Sequence, residues 1–76
     1  MPIVSFHLVS NTDLLVVKSF SSLVDCVKYI RLNINDARSY FVDQIDDGEI
    51  VDTCSAYYLL ENYKDLNKLP ELLKDC

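Results

Sequence analysis

A chain of 76 residues makes one domain, because a polypeptide this short buries only roughly 60% of its unfolded surface and cannot fill two cores. Half of the residues are hydrophobic and only one is glycine, which excludes the polar, flexible composition of a disordered chain. The formal charge of -5, with Lys18, Lys28, Arg31, Arg38, Lys64, Lys68 and Lys74 scattered along the chain, disfavours direct binding to nucleic acid and makes a basic protein surface the expected partner.

The first element is a strand over Ile3–Val9, where Val4, Phe6 and Leu8 alternate with Ser5 and His7 as a half-buried strand requires. Asn11, Thr12 and Asp13 are turn formers, and the β-branched run Leu14–Val17 returns as the second strand. Ser21 or Ser22 offers an N-cap oxygen and Asp25 falls in the first turn. Leu23, Val27 and Ile30 then recur at helical spacing, so a helix runs to about Leu32.

The second half repeats this order. A strand over Ser39–Ile45 is followed by Asp47-Gly48, the signature of a type I′ turn, and by a returning strand over Glu49–Asp52. Asp52, Thr53 or Ser55 can cap a second helix whose apolar stripe is Ala56, Leu59, Leu60, Tyr63 and Leu66. Pro70 suits the first turn of a short C-terminal helix within 68–76.

Shifting the chain by 34 positions lays Asp13 on Asp47, Val16 on Ile50, Val17 on Val51, Ser21 on Ser55 and Tyr29 on Tyr63. The coincidence follows turns, caps and strand residues, so the chain reads as a single domain, 1–76, with a pseudo-repeat of 3–33 and 37–67 and a helical extension over 68–76. The expected fold class is α+β: two strand-strand-helix units forming a four-stranded antiparallel sheet with both helices on one face. The other face is open to a partner, or to a second copy in a homodimer.

The strongest local bias is the set Asp43, Asp46, Asp47, Glu49 and Asp52, five carboxylates in a hairpin without a lysine or arginine. A two-residue turn sets Asp46 opposite Glu49 and Asp43 opposite Asp52, and opposed like charges cost stability that a cationic partner would return. A solvated hairpin tip that only keeps the chain in solution is the plainer reading of the same charges. Calcium is not expected. Counted as an EF-hand loop from Asp43, the third, ninth and twelfth places hold Ile45, Val51 and Cys54, which lack the ligands.

Tyr57 and Tyr58 are successive helix positions that diverge by about 100°, so at least one lies near the surface, where tyrosine often anchors an interface. His7 points away from the core, but no local motif gives it a nucleophile, and the lone Gly48 excludes a glycine-rich phosphate loop.

Cys26, Cys54 and Cys76 are odd in number and widely spaced, matching neither a disulfide framework nor a zinc site. Together with the lack of a signal-like N-terminus or a membrane-length apolar run, they suggest a reducing, cytoplasmic setting.

No enzyme and no cofactor are expected. The expected function is a non-enzymatic interaction module or inhibitor, of the kind used by viral accessory proteins, docking on a basic and even nucleic-acid-binding protein surface through Asp43, Asp46, Asp47, Glu49, Asp52, Tyr57 and Tyr58. The alternative is a structural subunit that self-associates through an apolar or tyrosine-bearing surface.

Overall fold

A computed structural model of the chain describes residues 3–73. Four strands, β1 (Val4–Ser10), β2 (Val16–Phe20), β3 (Tyr40–Asp46) and β4 (Glu49–Ser55), form one sheet in the order β2-β1-β3-β4. Every neighbouring pair is antiparallel. Each hairpin feeds a helix: α1 (Leu23–Asn33) follows β2 and α2 (Ala56–Asn62) follows β4. The α+β class and the four-stranded antiparallel sheet read from the sequence are those of the structure.

The period-2 pattern of β1 decides which face is buried. Phe6 and Leu8 are fully buried and share a face with Val42 and Cys54, because Leu8 pairs with Val42 and Val42 with Cys54. Leu23, Cys26, Val27 and Ile30 of α1 and Ala56 and Leu59 of α2 close over that face in a single cluster. Fully burying one such aliphatic side chain is worth about 1.5–3 kcal/mol.

Capping resolves two positions that spacing alone left open. Ser22 is the N-cap of α1, its hydroxyl accepting from the Asp25 N–H at 3.2 Å, and Ser55 caps α2, accepting from the Tyr58 N–H at 3.5 Å. The caps therefore repeat at an interval of 33, so the superposition of Ser21 on Ser55 does not hold at the level of capping. The returning strands are displaced from their sequence-based limits: β2 starts two residues later than Leu14, at Val16, and runs on to Phe20, and β4 continues past Asp52 to Ser55.

The helical extension expected over 68–76 is different in form. A single 3-10 turn, Leu66–Lys68, follows α2, and 69–73 is not helical; the remainder lies outside the described residues. Pro70 does not begin a helix, and Leu73 is instead held to the sheet, its N–H donating to Gln44 Oε1 at 2.8 Å. This bond satisfies a buried glutamine on the core face and brings Leu73 into the hydrophobic cluster.

Candidate functional site

The second hairpin turns as its sequence requires. Asp47 and Gly48 have φ of 51° and 83°, the two left-handed conformations of a type I′ turn. The Asp47 N–H donates to the Ile3 carbonyl at 3.1 Å and Asp47 Oδ1 accepts from the Ile3 N–H at 3.4 Å, so the turn is tied to the entrance of β1.

Asp46 lies opposite Glu49, as expected, but Asp43 does not lie opposite Asp52. A register shift between Gln44 and Ile45 pairs Asp43 with Thr53 and Asp52 with Gln44. Because successive strand residues point to opposite faces, this bulge sends the two carboxylates to opposite sides of the sheet. The sequence carries no explicit mark of it, since a two-residue turn implies an unbroken register.

Asp43 thus leaves the acidic group. It sits on the open face, 8% exposed, and its carboxylate accepts from the Thr53 hydroxyl at 2.7 Å. Asp46, Glu49 and Asp52 are on the helix side of the hairpin, with Asp47 at the tip. Asp52 Oδ1 accepts the Thr53 N–H at 2.9 Å, whereas the Oδ1 of Asp46 is buried with no hydrogen-bond partner among the described residues. A buried polar atom without a partner costs about 1–3 kcal/mol.

Tyr57 and Tyr58 do not join this group. They follow β4 at Ser55, whereas the turn lies at Glu49, and six residues of strand span about 20 Å. Tyr57 is 39% exposed and its ring lies 4.5 Å from the Arg38 guanidinium carbon. A hydrogen bond with Tyr57 is the leading cause holding the Arg38 pKa above its ordinary value. Tyr58 packs partly buried against the core.

Sequence reasoning sent His7 to the open face, and the pairing shows its surroundings. His7 pairs with Ser19 on one side and Asp43 on the other, and Asp43 with Thr53, so Ser19, His7, Asp43 and Thr53 form one polar row across all four strands. Aliphatic corners flank it. The bulge in β2 sets Val16 and Val17 against Val9, and that in β4 sets Ile50 and Val51 against Ile45. These corners are related by the 34-residue shift, which was the available signal for them.

Neither Cys26 nor Cys54 is a reactive site. Cys26 is fully buried in the core, and burial pushes its thiol up to about 12. Cys54, also buried, is disulfide-bonded, which corrects the expectation that no cysteine here is bridged and removes the main support for a reducing compartment. Among the described residues no cluster of histidine, cysteine and carboxylate is placed to hold a metal, and no helix is long and apolar enough to cross a membrane.

The fold and these surfaces define an α+β chain that covers one face of its sheet and leaves the other open. Comparison with protein-family models, with curated proteins and with solved structures finds no match to it.

Proposed function

We propose that the chain is a non-enzymatic acidic interaction module, inhibitor-like in character, that docks the turn end of its second hairpin on a basic protein surface such as a nucleic-acid-binding site. The observation that carries this reading is the state of Asp46. Its Oδ1 is buried and unpartnered, it stands directly opposite Glu49, and no ion pair among the described residues compensates either carboxylate. A lysine or arginine brought to this end would meet the exposed carboxylates of Asp47 and Glu49 and relieve the repulsion between the paired acids. The docking group is narrower than the sequence suggested: Asp46, Asp47, Glu49 and Asp52, without Asp43, which faces the other side of the sheet, and without the distant Tyr57 and Tyr58.

The test is titration of the chain with a fluorescent lysine- and arginine-rich peptide at low salt. Reversal of Asp46, Asp47 and Glu49 to lysine is expected to weaken binding by about tenfold or more, equivalent to at least about 1.4 kcal/mol. The charge-matched variant Asp25→Lys/Glu61→Lys/Glu71→Lys removes the same charge elsewhere. Equal losses in the two variants would reduce the effect to net charge and end the docking proposal.

A further inference from the structure

The open face of the sheet carries almost none of the molecule's charge. At the paired strand positions that point to it, only His7 and Asp43 ionise, whereas Lys18, Asp46, Glu49 and Asp52 all pair on the helix side. Around the His7–Asp43 pair the face is aliphatic, aromatic or hydroxyl-bearing: Val9, Phe41 and Ile45 on the central strands, and the two bulge corners on the outer ones. The corners are well exposed, Val16 at 49%, Val17 at 45%, Ile50 at 63% and Val51 at 51%. Val9 is buried yet lies outside the main core cluster, so this side has a small apolar centre of its own. Depletion of charge around an apolar centre is the compositional mark of an interface core.

We propose that this face is the twofold interface of a homodimer and that its occupant is a second copy of this chain. A twofold interface uses the same patch on both subunits, so the patch must complement itself. His7 and Asp43 are direct partners on the two central strands and lie on either side of the midline between them. An axis along that midline sets His7 of each copy over Asp43 of the other, a base over an acid in both directions. The same operation sets Val9 over Phe41, and brings each aliphatic corner onto the outer strand of the second copy.

Two further observations favour a second copy over a foreign partner. The net charge of -5 opposes association of like chains, yet of the carboxylates of the second hairpin Asp46, Glu49 and Asp52 stand on the far side of the sheet and Asp47 at its tip, which leaves only Asp43 on this face. The face is also continuous across all four strands, about 15 Å wide and about 23 Å long between backbone atoms, so a second sheet of the same size can lie over it. Sheets packed in this way stack about 10 Å apart with their strands within about 30°. The acidic turn remains outside the interface in the dimer, so this proposal stands or falls separately from basic-surface docking.

Sedimentation velocity across a concentration series tests it. The wild-type chain is expected to show a reversible monomer–dimer equilibrium, and Val16→Lys/Ile50→Lys to raise its dissociation constant by about tenfold or more. The control Glu61→Lys, on the helix side, is expected to leave it unchanged. Should the double variant not fold, Ser19→Arg at the exposed end of the polar row is the second probe, with the same expected loss. A wild-type chain still monomeric at roughly 1 mM, the weak end of specific affinities, would overturn the proposal. So would a dimer that both probes leave intact, which places self-association elsewhere, or a monomer that binds phosphatidylcholine vesicles through Val16 and Ile50.

Discussion

Leu14 and Gly48 occupy corresponding places in the two hairpins, one 34-residue shift apart, and both have positive φ, 59° and 83°. A side chain in the left-handed region costs about 1–2 kcal/mol that glycine does not incur. Leu14 bears this cost in the first hairpin while being 69% exposed, so its side chain returns little by packing. Leu14→Gly is therefore expected to stabilise the chain by about 1 kcal/mol in urea unfolding. Gly48→Ala should destabilise by a similar amount, through the backbone alone, since a Cβ there would meet nothing within 4 Å. A neutral Leu14→Gly would mean that the leucine makes a compensating contact in solution. The same residue-level chemistry explains the partial legibility of the turns. Asp47-Gly48 is a strong local signal, whereas a leucine in the left-handed region leaves no trace in a pattern of residue types.

The helices differ in how far they stand on their own sequence. α1 has 11 residues, a serine N-cap, Asp25 in its first turn and Arg31 in its last, so cap and dipole both favour it. α2 has 7 residues, too short to persist without tertiary support, and rests on Ala56 and Leu59 packed into the core. The apolar spacing through Tyr63 and Leu66 suggested a longer second helix; its end at Asn62, with Tyr63 as C-cap, is not marked by a glycine or proline. Beyond it Arg31 donates to the Tyr63 carbonyl at 2.6 Å, a contact from the other helix that satisfies the chain where α2 stops. Capping provides the test at this scale. Ser22→Ala is expected to cost about 1 kcal/mol and Ser21→Ala close to nothing, measured by thermal or urea unfolding. Equal effects would contradict the cap assignment.

At the scale of the whole molecule, a net charge of -5 is not offset by any ion pair among the described residues, and Lys18 and Arg31 engage uncharged groups, the Tyr29 ring and the Tyr63 carbonyl. Stability thus depends on the apolar cluster and on the backbone ladder, with charge acting as net repulsion. Raising sodium chloride from about 10 mM to about 0.3 M, enough to shorten the screening length to below 10 Å, is expected to raise the melting temperature. A fall would reveal attractive pairs that the static structure does not contain. The sequence by itself determined what local periodicity and turn chemistry can specify: the order of strands and helices, the buried face of β1, the Asp47-Gly48 turn and the repetition of the unit. Only the tertiary structure decided how those strands register. A bulge is one extra residue whose effect is felt across the ladder, and it separates Asp43 from Asp52 by reversing which side each faces. The same structure brings His7, distant in sequence, beside Asp43, and leaves around them an uncharged apolar face, because sidedness in a sheet belongs to the pairing of strands and not to any strand alone.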